Sequence, residues 1–220
     1  MTVPQSPIWA AIGRQLQNPS GFGGRLIARL MAIANRQPNR IAIDALKIAP
    51  SDTVLELGFG RGSAIRTLNS MVPNGRVFGI DHSATMLAQA SRYNGRAIRL
   101  GRVQLQQGRF DALPWGSDTF DKILAVNVVY FFGADAVEIR EARRVLRPGG
   151  MMAIYATHKS VMARWKFCRP ETHHVFDQHD LLSLVRNGAA ANDEVSVCSV
   201  TLALGIASVL AILRKGTGGS

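Results

Sequence analysis

Between a short apolar run, Thr53 to Leu57, and a stretch of helical spacing from Gly62 to Met71, the chain places glycines at alternate positions, Gly58, Gly60 and Gly62. A strand that turns at once into a helix needs backbone free of Cβ, and the same bare main chain lets a ligand lie against it. The amides at the start of the helix can then face an anionic group. One carboxylate, Glu56, stands inside the apolar run. Burying it is costly unless it is paired, and it suits a ligand carrying an ammonium group better than a pyrophosphate. A dinucleotide site would want Gly-x-Gly-x-x-Gly, but the third residue after Gly60 is Ser63.

From this point the pattern alternates. Strand-type runs are predicted at 53–57, 76–80, 103–106, 122–128, 151–157, 195–200 and 206–213, with helical stretches at 62–71, 83–94, 134–146 and 178–187. The alternation argues for a mainly parallel sheet covered on both faces. The last two runs, joined by a short connection at Gly205, form a hairpin. In such sheets the ligand sits at the carboxyl ends of the strands, near the switch point. The first fifty residues differ. A turn-rich stretch, 18–24, precedes a helix over 25–36, and a second helix starts after Pro38 and Asn39, with Asn39 as N-cap, and ends before Pro50. The expected organisation is a helical lid segment over 1–50, a main domain over 51–216 and a disordered tail over 217–220.

Two further acids end the next runs. Asp81 closes the second, placed to accept from both hydroxyls of a ribose, and Asp111 follows the third, where it could accept from an adenine amine. In "VLELGFGRG" (54–62), "GIDHS" (79–83), "GRFDALPW" (108–115), "FDKILAVNVVYFF" (120–132) and "RRVLRPGGMMAIY" (143–155) the chain resembles the class I S-adenosylmethionine-dependent methyltransferases. Among them it is similar to the small-molecule type that includes the ubiquinone and menaquinone biosynthesis enzymes. The resemblance implies a Rossmann-like α/β fold, a seven-stranded, mostly parallel sheet with helices on both faces and a reversed C-terminal strand. It implies S-adenosylmethionine as cofactor. Its methionine end would lie on Glu56, Gly58, Phe59, Gly60 and Gly62, its ribose on Asp81, and its adenine on Asp111 and Ala112. His82 and Met86 would lie beside ribose and adenine, and Asn127 under the methionine moiety.

The methyl of such a donor is already activated, so the enzyme must mainly align a nucleophile with it. A general base, needed only for a protonated acceptor, would come from a strand end, which makes Tyr130 and His158 the catalytic candidates. The fourth run ends "NVVY", without the Asn-Pro-Pro-Tyr of base-amino methyltransferases, and no Pro-Cys nucleophile is present. The stretch 158–176 mixes Trp165, Phe167 and Phe176 with Lys159, Arg164, Lys166 and Arg169, fitting a small aromatic or lipophilic acceptor with a negative group. The alternatives are an RNA methyltransferase and a non-catalytic S-adenosylmethionine-binding protein.

The formal charge is +11, yet no block of five like charges occurs, which reads as a generally basic surface, with nucleic acid not the expected partner and peripheral membrane contact left open. Arg140, Arg143, Arg144 and Arg147 form a stripe read as a solvated helix face, opposite a core stripe of Ile139, Ala142 and Leu146. The cluster of His173, His174, Asp177, His179 and Asp180 matches no standard metal spacing, and Asp177 reads as an N-cap; no metal is expected. The two cysteines form no Cys-x-x-Cys pair. The most apolar stretch, Thr201 to Leu213, is too short to span a bilayer, and the first residues do not read as a signal peptide, so a cytoplasmic location is expected.

Overall fold

A computed structural model describes residues 35–165 and 174–217. In chain order the elements are α1 (Arg36–Leu46), β1 (Thr53–Leu57), α2 (Ser63–Met71), β2 (Arg76–Asp81), α3 (Ala84–Tyr93), α4 (Gly95–Arg99), β3 (Val103–Gln107), β4 (Phe120–Val126), α5 (Val137–Val145), β5 (Leu146–Thr157), α6 (Lys159–Met162), α7 (Gln178–Gly188), β6 (Glu194–Thr201) and β7 (Ala207–Arg214). The seven strands make one sheet in the order β3-β2-β1-β4-β5-β7-β6. β7 runs antiparallel to both neighbours and the other pairings are parallel, so the expected reversed strand is β7. The chain leaves β1 toward β2 on one side and returns as β4 on the other, which opens a crevice at the carboxyl ends of these strands.

Alternation along the central strands splits the core into two layers. Ile123 and Ala125 of β4, with Met152, Ile154 and Ala156 of β5, face α5 and α7. Leu124 and Val126, with Ala153 and Tyr155, face α1, α2 and α3. Because both faces are covered, these strands read as continuous apolar runs. Full burial of each leucine, isoleucine, valine or methionine among them contributes about 1.5–3 kcal/mol relative to exposure.

The observed elements depart from expectation in several places, the short helices α4 and α6 among them. The first described helix starts at Arg36, a turn before the expected N-cap: the Asn39 N–H already donates to the Asn35 carbonyl, so Asn39 is an interior residue. Pro38 is tolerated there because a first-turn N–H needs no intrahelical partner. β4 stops at Val126 because Asn127 turns left-handed, at φ 54°. β5 starts at Leu146, since Leu146 pairs with Phe120 before the bulge that precedes Lys122. α5 starts only at Val137, after Ala136 at φ 57°.

The arginine stripe is corrected in part. Arg143 forks onto Asp193, whose side chain is fully buried. Arg144 grips Glu141 and the carbonyls of Leu113 and Trp115, Arg147 grips Asp121, and Arg140 donates to the Asp135 carbonyl. Arg143 and Arg144 thus tie α5 to the segments beside it, while Arg140 and Arg147, the latter already on β5, stay exposed as expected of a solvated face. The core stripe is as expected, with Ile139, Ala142 and Leu146 fully buried. Asp177 caps α7 in a reciprocal box with Asp180, and Lys159 bridges both carboxylates.

α1 lies within the segment 1–50, and its Ala42, Ile43 and Leu46 belong to the sheet's core. The expected helix over 25–36 falls outside the described residues except for its last two positions, as do residues 218–220 of the tail and His173, Phe167, Lys166, Arg169 and Cys168.

Candidate functional site

The carboxyl ends of β1 and β2 bring two buried acids together. Glu56 is opposite Gly79 in the register of these strands and is only 5% exposed. Its Oε2 has no hydrogen-bond partner among the described residues. Burial, then the charge of Asp81, pushes the Glu56 carboxyl up to about 8, against the pull of the Ile65 amide. Asp81 is equally buried, and its two oxygens accept from the amides of Gly60 and Ser83, each at 2.9 Å. Burial raises its pKa and these amides oppose the rise. Asp81 thus braces the glycine loop from the neighbouring strand, while Ser83 caps α3 by accepting from the Met86 amide.

The three loop glycines all have positive φ, but for different spatial reasons. A Cβ on Gly58 would stand 2.8 Å from Val128 Cγ2, and one on Gly62 would stand 2.6 Å from Asn94 Nδ2 and 2.9 Å from Ala90 Cβ. A Cβ on Gly60 would meet nothing within 4 Å. Gly58 and Gly62 are therefore bare for packing, and Gly60 is bare beside open space. Gly62→Ala is expected to lower stability by about 3 kcal/mol through strain and overlap. Gly60→Ala should cost only about 1 kcal/mol of stability, with its larger effect on nucleoside binding; thermal melts and calorimetry separate the two.

The other expected site residues fall into three groups. The His82 ring meets the edges of Phe110 at 6.2 Å and Phe131 at 6.3 Å, so the loops after β2 and β3 and the segment after β4 converge on it. Asn127 forms a hub at the end of β4: its Nδ2 donates to Asn35 Oδ1 at 2.8 Å and its Oδ1 accepts from the Tyr130 hydroxyl at 2.7 Å. The Tyr130 hydroxyl also accepts from the Thr157 amide at 2.6 Å, which ties β4 to the tip of β5. His158 follows directly, its Nδ1 accepting from the Ser160 amide at 3.2 Å and lying 2.8 Å from Ser160 Oγ. A neutral ring capped in this way carries its proton on Nε2.

Three expected residues are turned elsewhere. Phe59 packs its ring into the core beside Gly79, leaving only its backbone at the loop. Met86 is buried in the layer of α1, α2 and α3. Asp111 is held in a fork by Arg109, whose hydrogen bonds keep its carboxyl below the usual range, and Ala112 beside it is exposed. Asn35, Asn94 and Thr157 carry no local signal in the sequence; each acts through partners about thirty or more residues away. Among the described residues, no group of three His, Cys, Asp or Glu side chains is arranged to hold a metal ion.

Residues 54–150 match the family described as methyltransferase domain. A Bacillus subtilis protein named as the uncharacterized methyltransferase YdaC is 31% identical over 125 residues, covering 57% of this chain and 67% of that protein. The chain belongs to the class I S-adenosylmethionine-dependent methyltransferases. A ubiquinone/menaquinone biosynthesis C-methyltransferase of Geotalea daltonii is 26% identical over 121 residues, 54% of this chain and 52% of that one. A chain from the complex between the Haloferax volcanii Trm112 methyltransferase activator and a methyltransferase shares the fold, with a TM-score of 0.74 at 19% identity over 90% of this chain and 97% of that one. The chain spans from about a third to two thirds of the length of the curated relatives it matches first. The family's cofactor is S-adenosylmethionine, and the residues fit it. The unpartnered Glu56 oxygen is a ready acceptor for a cationic amino group, and the open space at Gly60 admits a ligand against the main chain. No described helix is long and apolar enough to cross a membrane.

Proposed function

We propose that this methyltransferase moves the methyl group of S-adenosylmethionine onto a small acceptor with an aromatic or lipophilic body and a negative group. The observation that carries the reading is the buried, unpartnered oxygen of Glu56 at the strand end beside Gly60. Such a group is destabilising unless a ligand completes it, and its match is an ammonium. In this reading Glu56 and the Gly58–Gly62 loop hold the amino-acid end and Asp81 accepts from the ribose hydroxyls while keeping the loop in place. His82, Asp111 and Ala112 border the base, and Asp111 exchanges Arg109 for the adenine amine. Bound there, the sulfonium supplies an activated methyl group. The protein's part is to hold the nucleophile in line and exclude water.

The acceptor side is read from the ends of β4 and β5. Tyr130 stacks on Phe176 at 6.4 Å, Phe131 borders His82, and Trp165 is 38% exposed just beyond α6. Relatives named for erythromycin 3''-O-methylation, malonyl-[acyl-carrier protein] O-methylation and arsenite methylation share parts of this sequence, so the acceptor must be read from this chain's own wall. Tyr130, with its hydroxyl committed to Asn127 and Thr157, serves to position Asn127. His158, capped at Nδ1, offers an Nε2 proton to an oxygen of the acceptor, and serves as base only when the cap opens.

Supplying labelled S-adenosylmethionine with a metabolite extract tests the reading. Label is expected in a low-molecular-weight anionic aromatic or lipophilic product. Label in the RNA fraction would overturn the acceptor, and no label at all with intact nucleoside binding would leave a non-catalytic binding protein. His158→Asn should keep the fold, because asparagine caps a helix well. It is expected to lower kcat/KM about tenfold through the lost hydrogen bond; unchanged turnover would remove His158 from the site.

A further inference from the structure

The charge of this protein is unevenly used. On α5 Arg140, Arg143 and Arg144 are each engaged by a carboxylate or a carbonyl, as is Arg147 at the start of β5. On the opposite side of the sheet, a groove of about 750 Å³ between α1 and α2 is lined by Arg36, Arg40, Arg61 and Arg66. It adjoins a second groove, of about 370 Å³, at Arg66 and Tyr93, and this one continues to Arg96 and Arg102. The acid lining these grooves is Asp44, which stands 3.7 Å from Arg40 with both side chains exposed. Among the described residues Arg36, Arg61, Arg66 and Arg96 form no ion pair, and the buried Nε of Arg61 has no hydrogen-bond partner.

We propose that these two joined grooves are a docking track for a single strand of nucleic acid. At their junction Arg66 lies over the Tyr93 ring, 5.3 Å from its centroid, and Tyr93 is 49% exposed. Guanidinium groups spaced along a concave track, with an accessible ring in its middle, offer what a strand requires: cations for phosphates and a face for a base. Ser63 adds a hydroxyl at the start of α2 that can donate to a phosphate oxygen, while the hydroxyls of Thr67 and Ser70 donate to the Ser63 and Thr67 carbonyls. A bilayer surface would need a convex or flat face, whereas the unpaired arginines here line concavities. The proposal concerns binding, and holds whichever acceptor takes the methyl.

The test is fluorescence anisotropy of the full chain with a labelled strand of about 12 uridylates, in salt from about 50 to 200 mM. Binding is expected at low salt and should weaken at least tenfold, roughly, across that range. The Arg66→Glu/Arg96→Glu variant should lose roughly tenfold or more in strand affinity. Tyr93→Ala should lose about fivefold, the loss of one stacked base. Arg186→Glu, on α7 across the sheet, is the matched control and should change affinity far less. Binding of S-adenosylmethionine, followed by calorimetry, should be untouched in all of these. If the double charge reversal disturbs the fold, Arg66→Lys/Arg96→Lys keeps the charge and should retain most of the strand affinity. No strand binding at low salt overturns the proposal, as does an equal loss in Arg186→Glu. So does binding of vesicles rich in phosphatidylserine in place of the strand. Failure of nucleoside binding in the unaltered protein would instead count against the methyltransferase reading and leave this one standing.

Discussion

Glu56→Gln is expected to make the unliganded protein more stable at about pH 9 by about 3 kcal/mol, and at the same time a poorer binder of S-adenosylmethionine. The sign follows from the displaced carboxyl. Its pKa is about 8 in the folded chain against 4.5 for an ordinary glutamate. Below pH 4.5 both states hold the proton and the group is neutral to stability. Between 4.5 and 8 the unfolded chain has released the proton and the folded chain retains it, so stability falls as pH rises. Above 8 the loss is complete, at about 5 kcal/mol for this displacement. Glutamine removes that loss but leaves a buried amide to be satisfied, which returns about 1–2 kcal/mol. The variant should therefore lie about 1–2 kcal/mol below the parent at about pH 4, cross it at about pH 5–6 and exceed it increasingly up to about pH 8. Denaturant melts across this range provide the check, and parallel stability curves would contradict the buried-acid argument.

The same residue couples the cofactor to protons. An ammonium brought against Glu56 favours the ionised form, so binding at about pH 7 should release close to one proton, seen as a dependence of calorimetric heat on buffer ionisation enthalpy. In Glu56→Gln that release should vanish and affinity should fall about a hundredfold, as for a lost charge-assisted contact.

Asp81→Ala is expected to weaken nucleoside binding about a thousandfold, the largest loss at the site. Two effects combine. In the proposed role the carboxylate accepts from the ribose hydroxyls, each such bond contributing about 1.5–3 kcal/mol. In the free protein it already holds the Gly60 and Ser83 amides, so its removal also frees the loop. Asp81→Asn separates the two, because its one remaining oxygen can still accept from one amide. It should recover part of the stability and little of the affinity. Equal affinity in Asp81→Ala and the parent would remove the β2 tip from the cofactor site.

Much of the scaffold was legible from local rules. β1 was bounded as observed because the apolar run ends in glycine, and α7 was bounded at its start because Asp177 and Asp180 make a capping box within four residues. The ends of β4 and the start of α1 were not legible, because a left-handed Asn127 and an N-terminal turn containing Pro38 are choices that the surrounding contacts make.

The order of Glu56, the glycine loop, Asp81 and Asp111 along the chain carried the family, because a strand-to-helix turn and an acid at a strand tip are properties of a few adjacent residues. Folding alone decided which of those groups face one another. Glu56 and Asp81 share a buried, mutually unfavourable environment only because β1 and β2 lie side by side in register. Arg143 finds Asp193 and the Tyr130 hydroxyl finds the Thr157 amide across 50 and 27 residues. Interactions of that kind depend on distances that close only when the sheet forms. For that reason Arg143 and Arg144 read as solvent-facing in the chain and are clasps in the fold, while Arg36, Arg61, Arg66 and Arg96 form no ion pair among the described residues.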